Sequence, residues 1–186
     1  MTTKIAINGF GRVGRTVLRR LIDSHSDIEV VAINDLADIN ILTYLYRYDT
    51  TYGRVPYKVE TTEGDLTIND YVIKVYQEED AKKLPWSELD VDIVIESTGM
   101  YTSAGKAQAH IEAGADKVII TAPAKDDTTK TNVFGVNETD ISMDDVILSA
   151  ASCTTNCLAP VANTLHQNFG IVTGLMTTVK AYTPSQ

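Results

Sequence analysis

Cysteine is scarce: only Cys153 and Cys157 occur in the 186 residues. Two cysteines are too few for a disulfide framework, which fits a reducing compartment, and neither needs a covalent partner. Positive charge is scarce as well. Sixteen Lys and Arg stand against 25 Asp and Glu, a formal net charge of −9, and the basic residues form no cluster. A polyanionic partner needs a concentrated basic face, so no nucleic acid is expected. The N-terminus, Met1-Thr2-Thr3-Lys4, has no apolar segment with a small-residue cleavage site as in a signal peptide, so a cytoplasmic location is the expectation. Charge is absent altogether from Val146 to Val179, and Lys180 is the one charge from Val146 onward. Ser, Thr, Asn, Gln, His, Pro and Gly interrupt that run, so no span of about 20 apolar residues exists and no membrane partner is expected. The segment reads instead as buried globular interior belonging to something larger.

What is present is a soluble globular composition, 44% hydrophobic and 22% charged, with enough apolar residues for a sizeable core. The length admits one large domain or one domain with the beginning of another. No repeat or low-complexity segment interrupts it. Lys4–Asn8 reads as a short apolar strand, and Val13, Val17, Leu18, Leu21 and Ile22 recur at helical spacing from Arg12 to Ile22. Glu29–Asn34 is β-branched and apolar on both faces, as expected of a parallel strand covered by helices, and completes a βαβ unit. A helix over Ile39–Tyr48 follows. Short strands at Tyr57–Val59, Leu66–Ile68 and Val72–Tyr76, broken by Glu63-Gly64-Asp65 and Asn69-Asp70, predict a small antiparallel insertion. Parallel organisation resumes with the strand Asp92–Glu96, the helix Ser103–Ala113 ended by Gly114, and the strand Lys117–Thr121. A last strand, Val146–Ser149, leads to the cysteines, with a domain boundary placed near Ser149–Ser152.

Two constellations carry chemistry. The first is Gly9-Phe10-Gly11-Arg12-Val13-Gly14 between the first strand and the first helix, with Asp35 at the end of the second strand. Three glycines can simply end a strand. Here the strand, helix and acidic residue that a dinucleotide fingerprint requires are all in place. Gly9 permits the turn, Gly11 lets backbone approach a pyrophosphate, Gly14 lets helix and strand pack closely, and Arg12 and Val13 offer backbone N–H groups at the helix N-terminus. The Asp35 carboxylate suits a ribose hydroxyl and repels a 2′-phosphate, so the expected cofactor is NAD rather than NADP. Asn8, Ser97-Thr98-Gly99 and Thr121 stand at carboxyl ends of parallel strands, where such sheets bind ligands, although loop capping would also account for them.

The second constellation is Ser152-Cys153-Thr154-Thr155-Asn156-Cys157 ahead of the apolar positions Val161, Ala162 and Leu165. Cys153 opens a helix there, where dipole and free N–H groups stabilise a nucleophilic thiolate. Cys157, one turn later, reads as inward-facing inert packing. On the residues alone, two buried cysteines without chemistry remain an equal reading. A zinc site has less support, since His166 gives at most a third ligand and no second ligand pair follows.

Ile7-Asn8-Gly9-Phe10-Gly11-Arg12, Asn34-Asp35, Glu96-Ser97-Thr98-Gly99, Thr121-Ala122-Pro123-Ala124-Lys125 and the cysteine run together resemble the glyceraldehyde-3-phosphate dehydrogenase family over the whole chain. The resemblance implies an α/β fold: a doubly wound parallel (Rossmann) sheet over residues 1–151, then the truncated start of an α+β catalytic domain over residues 152–186. It implies that Cys153 attacks the aldehyde of glyceraldehyde 3-phosphate, that the thiohemiacetal gives hydride to NAD, and that inorganic phosphate releases an acyl phosphate. Ser152, Thr154 and Thr183 match phosphate-contacting positions, and the family assembles as a homo-oligomer, a tetramer. Lys180 stands where the family's catalytic histidine is expected. A lysine holds its charge at neutral pH and can stabilise a thiolate or oxyanion, whereas histidine exchanges protons there; a plain surface lysine is the alternative. Other departures are Pro184-Ser185 for an Asn-Asp pair, Ala150 for an Asn, and Glu79 where an adenine-contacting Arg is common. Erythrose-4-phosphate dehydrogenase shares the cysteine motif, and an NAD-binding module without turnover is the reading of another class. Aspartate-semialdehyde dehydrogenase, with a similar cysteine mechanism, is poorly supported by Thr154-Thr155-Asn156-Cys157.

Overall fold

A computed structural model describes residues 2–24 and 27–180. Strand β1 (Thr3–Asn8), helix α1 (Arg12–Ser24) and strand β2 (Ile28–Asn34) form the expected βαβ unit, with β1 and β2 parallel. Helix α2 (Ile39–Arg47) follows, with Asp38 capping the Asn40 N–H, and then a two-stranded ribbon of β3 (Tyr48–Asp49) and β4 (Gly53–Arg54). Next come β5 (Val59–Thr62), β6 (Asp65–Ile68), β7 (Tyr71–Tyr76), β8 (Ile93–Glu96), α3 (Ala104–Glu112), β9 (Lys117–Ile120), β10 (Lys130–Thr131), β11 (Ile147–Ser149) and α4 (Cys153–Phe169).

Nine strands make one sheet in the order β10-β11-β9-β8-β1-β2-β7-β6-β5. The fold is therefore the doubly wound α/β class expected from the sequence. Within the 57–76 segment β5–β6 and β6–β7 pair antiparallel, as expected. Its attachment was not expected: β7 lies parallel to β2, pairing Ala32 with Lys74 and Asn34 with Tyr76, so the hairpins continue the main sheet. The tight turn at Asn69-Asp70 correctly announces a hairpin, but nothing local reveals what the other edge of β7 pairs with. The first of these strands begins at Val59 rather than Tyr57, and β10 was not foreseen.

Alternation along the strands divides the core between the two faces of the sheet. Ile5, Ile7, Val30 and Ile33 pack with Phe10, Leu18, Leu42 and Tyr46 on one side. Ala6, Ala32, Val94 and Ile120 pack with Leu84, Trp86, Ala107 and Ala109 on the other. The small side chains of α3 let that helix lie close to the sheet.

Of the segment from Val146, expected as the interior of something larger, Leu148, Ser149 and Ala151 are buried, while the apolar side chains beyond them lie uncovered among the described residues. No residue of α4 is buried, Val161 and Phe169 are exposed, and Val172, Leu175 and Val179 are almost wholly so. Cys157, expected to face inward, is exposed, as is Cys153. A helix buries its apolar stripe only against another layer, and residues 2–180 supply none over α4. Among the described residues no helix is long and apolar enough to cross a membrane.

Candidate functional site

The strand order reverses at β1: β2 and β7 lie to one side, and the chain then crosses to β8, β9 and β11 on the other. Ligands of such sheets bind in the crevice outside the carboxyl ends at this switch point. A cleft is found there, its lining including Asn8, Gly9, Gly11, Asp35, Ser97 and Thr98.

The three glycines of the loop differ in what holds them. Gly9 has φ 91°, and a Cβ on it would lie 2.6 Å from the Thr98 nitrogen. A Cβ on Gly14 would lie 2.2 Å from the Gly9 carbonyl oxygen. Both are glycine because the protein's own backbone comes too close. At Gly11 a Cβ would meet nothing within 4 Å, and its φ is not left-handed. The protein itself has room for a side chain there, and that space lies open beside the first turn of α1.

Asp35 is fastened to this loop. Its Oδ2 accepts the Phe10 N–H at 2.7 Å and its Oδ1 accepts the Ala37 N–H at 2.9 Å. Arg15 Nη1 donates to the Phe10 carbonyl at 2.9 Å from the helix side, and its half-buried guanidinium is pulled below its usual pKa, first by burial and then by Arg12. The Arg12 side chain pairs with Asp49 beside the β3–β4 ribbon, leaving its backbone N–H at the open helix end.

Asn8 lies at the floor of the cleft with its side chain fully engaged. Nδ2 donates to Glu96 Oε2 at 2.6 Å and Oδ1 accepts from Asn34 Nδ2 at 2.7 Å. Ser97 Oγ donates to the Gly9 carbonyl at 2.6 Å, which ties the wall after β8 to the glycine loop. Thr98 is exposed in the cleft, while Thr121 stands one strand over, its hydroxyl on the Glu96 carbonyl at 3.1 Å, and does not line it. Glu78, Leu36, Met100 and Tyr101 do line it and were missed. Glu78 and Glu79 follow β7 directly, so recognising β7 as a third parallel strand would have pointed to both. With Asp35 they make the rim acidic.

The cysteine region is a strand–turn–helix of a different kind. After β11, Ala151 takes a left-handed backbone with φ 62°, at a cost of roughly 1–2 kcal/mol for a residue with a Cβ. Its N–H donates to Ser149 Oγ at 3.1 Å, and Asn156 Nδ2 reaches back to the Ala150 carbonyl at 2.7 Å. Ser152 is the N-cap, its Oγ accepting the Thr155 N–H at 3.0 Å, so Cys153 is the first residue of α4 and exposed. Cys153, Thr154 and Lys180 line one surface cleft with Cys157 and Met176. Thr154 Oγ1 is shielded from solvent and has no hydrogen-bond partner among the described residues. Thr183, Pro184 and Ser185 lie outside the described residues. His166 Nδ1 accepts the Ile171 N–H at 3.2 Å at the far end of α4.

Residues 3–104 match the family model described as glyceraldehyde 3-phosphate dehydrogenase, NAD binding domain, and residues 152–186 match that family's C-terminal domain. Proteins named glyceraldehyde-3-phosphate dehydrogenase from Clostridium pasteurianum and Chlamydia trachomatis are each 51% identical to the chain, over 99% and 98% of it. One from Clostridium acetobutylicum is 50% identical over 98%. The chain spans about half the length of these relatives, 54% in each case.

Proposed function

The chain belongs to the glyceraldehyde-3-phosphate dehydrogenase family, and from that premise we propose that it supplies the NAD-binding domain, residues 1–151, and the cysteine-bearing start of the catalytic domain, residues 152–186, of an NAD-dependent phosphorylating glyceraldehyde-3-phosphate dehydrogenase. The observation that carries this reading is the placement of Cys153, exposed at the first position of α4, on the same carboxyl edge of the sheet as the cleft of Gly11 and Asp35. Gly9, Gly11 and Gly14 shape the loop, the Arg12 and Val13 N–H groups face the pyrophosphate, and Asp35 receives the ribose hydroxyls. Asn8 forms the floor and Ser97 and Thr98 the wall behind them, with Gly99 and Thr121 at the same carboxyl ends but outside the lining.

Bound NAD supplies the hydride acceptor. In the reaction, the Cys153 thiolate attacks the aldehyde carbon and a C–S bond forms, giving an alkoxide. The helix N-terminus and the Lys180 ammonium stabilise first the thiolate and then the alkoxide by charge. Loss of hydride from that carbon leaves a thioester on Cys153. An oxygen of inorganic phosphate attacks the thioester carbonyl, the C–S bond breaks, and the acyl phosphate departs as the thiolate is regained. Ser152, Thr154 and Thr183 serve the phosphate groups; the Thr154 hydroxyl, in the cysteine cleft and without a partner among the described residues, supports this role. The enzyme is taken to be cytoplasmic and homo-oligomeric, binding neither nucleic acid nor membrane.

A second reading, an NAD-binding module without turnover, is favoured by one observation. Lys180 lines the cysteine cleft where a proton-exchanging group is expected, and a lysine there stabilises charge but transfers protons poorly at neutral pH. One experiment separates the readings. NAD and NADP are titrated against the wild-type chain and Asp35→Ala, and NADH formation is then followed with glyceraldehyde 3-phosphate, erythrose 4-phosphate and inorganic phosphate. NAD preference lost in Asp35→Ala, with Cys153-dependent NADH formation, supports the dehydrogenase. NAD binding with no NADH from either sugar phosphate supports the module, and equal wild-type affinity for NAD and NADP removes Asp35 from its role.

A further inference from the structure

Beneath the dinucleotide cleft lies a chain of buried polar side chains whose hydrogen-bond direction is fixed throughout. Trp86, the single tryptophan, is fully buried, and its indole nitrogen can only donate. It donates to His110 Nδ1 at 3.1 Å, so Nδ1 carries no proton and the proton of the neutral ring sits on Nε2. His110 Nε2 therefore donates to Glu96 Oε2, 3.0 Å away. His110 and Glu96 are 0% and 1% exposed. The same Oε2 accepts Asn8 Nδ2, and Oε1 accepts both the Thr98 N–H, at 2.8 Å, and the Thr98 hydroxyl. On the far side Asn8 Oδ1 accepts Asn34 Nδ2, which also donates to the Glu78 carbonyl, while Asn34 Oδ1 accepts the Glu78 N–H at 2.9 Å.

The chain thus begins at Trp86, outside the cleft, and ends on both of its walls, Thr98 after β8 and Glu78 after β7, with Asn8 as the floor. Neither His110 nor Glu96 lines the cleft. Without the His110 donor, Glu96 Oε2 would keep one partner of its two and Trp86 would lose its only acceptor. A buried carboxylate short of donors moves to find others, and its attachments to Thr98 and Asn8 move with it.

We propose that His110, acting through Glu96, is a positioning residue for the dinucleotide: it sets the separation of the Thr98 and Glu78 walls and so the affinity of the cleft, without touching the ligand. This rests on the NAD reading above. The test uses the 186-residue chain and four variants. His110→Leu removes the donor to Glu96, and His110→Gln keeps an amide nitrogen able to donate to it. Trp86→Phe keeps the aromatic bulk but frees the tautomer. Leu18→Ala, in the core on the other face of the sheet, is the control for general destabilisation. NAD affinity is measured by titration, and amide exchange at Thr98 and Glu78 by mass spectrometry without cofactor.

His110→Leu should raise the NAD Kd about ten-fold, the scale of a lost hydrogen bond to a charged group, and speed exchange at both amides. His110→Gln should recover most of the affinity, and Leu18→Ala should lower the melting temperature without either effect. Trp86→Phe should give a smaller change in the same direction and decides the matter if His110→Leu fails to fold. Unchanged exchange at Thr98 in the folded variants, or equal NAD weakening in Leu18→Ala, overturns the positioning role. If the wild type binds no NAD, the NAD reading itself falls, and exchange at Thr98 still decides whether His110 holds the wall.

Discussion

Two glycines three residues apart should respond to the same substitution in opposite ways. In Gly14→Ala the new methyl would sit 2.2 Å from the Gly9 carbonyl, 3.0 Å from Ile7 Cγ2 and 3.1 Å from Ser97 Oγ. The carbonyl belongs to a turn whose own glycine is pressed against Thr98, so it has little room to retreat. Overpacking of this kind costs about 1–3 kcal/mol. For a chain of this size that is a fall in Tm of roughly 2–12 °C. In Gly11→Ala the methyl meets nothing within 4 Å and φ is compatible with alanine. Gly11 precedes the first residue of α1 and accepts the Arg15 N–H, so it is the N-cap, where alanine is somewhat worse than glycine. The stiffer unfolded chain offsets that, and the net change in stability should stay within about 1 kcal/mol. NAD affinity should nevertheless fall at least about ten-fold, because the space the methyl fills is the space the pyrophosphate needs. Differential scanning calorimetry and NAD titration on the two variants and wild type give both quantities. A Gly11→Ala protein that binds NAD normally, or one as unstable as Gly14→Ala, would refute the division between structural and ligand-facing glycines.

Two further outcomes are expected. The Asp126 carboxylate is held well below the usual carboxylate pKa range, first by the Thr128 hydroxyl and then by the Ala104 N–H that opens α3. A depressed folded-state pKa contributes stability above the unfolded value near 3.9 and loses it as pH falls. Asp126→Asn should therefore lower Tm at pH 7, with the gap to wild type closing below about pH 4; a gap independent of pH would show that the carboxylate charge does not matter. At the other site both thiols are exposed, so access does not separate them, and only Cys153 has the helix N-terminus. Iodoacetamide should label Cys153 several-fold faster than Cys157, and Lys180→Met should slow Cys153 alone; equal rates at the two cysteines would remove the helix-end account of activation.

How much of this was legible in the sequence depended on how local each requirement is. The glycine loop was readable because its strand, turn, helix and acidic residue lie within 35 residues and each constrains its neighbours. The pairing of β7 with β2 was not, since an edge partner is chosen by the whole sheet, and missing it also hid Glu78 at the cleft. Strand β10, two residues long, has no periodicity to read. His110 and Trp86 look like ordinary core residues by spacing and composition. What marks them is the sequence of donors and acceptors between them and Glu96, and only coordinates supply that. Ala151 is similar: an alanine gives no local sign of a left-handed turn, yet that turn delivers Cys153 to the helix start.

The uncharged run after Val146 carries a requirement that local sequence cannot complete. Lack of charge records the kind of surface a segment presents, and says nothing about whether a covering layer is at hand. The described residues leave the α4 stripe and Cys157 open, while the dinucleotide cleft is lined from the carboxyl ends of β1, β2, β7 and β8 and the loops that follow them. The two halves of the site therefore differ in what they depend on. On the proposed function, cofactor binding would draw on a buried, hydrogen-bonded framework, so changes along the exposed face of α4, such as Val161 or Leu165, should leave it untouched. The cysteine chemistry would draw on a helix end, a lysine and, in an open cleft, a threonine hydroxyl with no partner among the described residues. Water there competes for every charge that the helix and Lys180 would stabilise. Cys153 is thus positioned by local geometry, whereas its reactivity depends on how well that cleft is shielded.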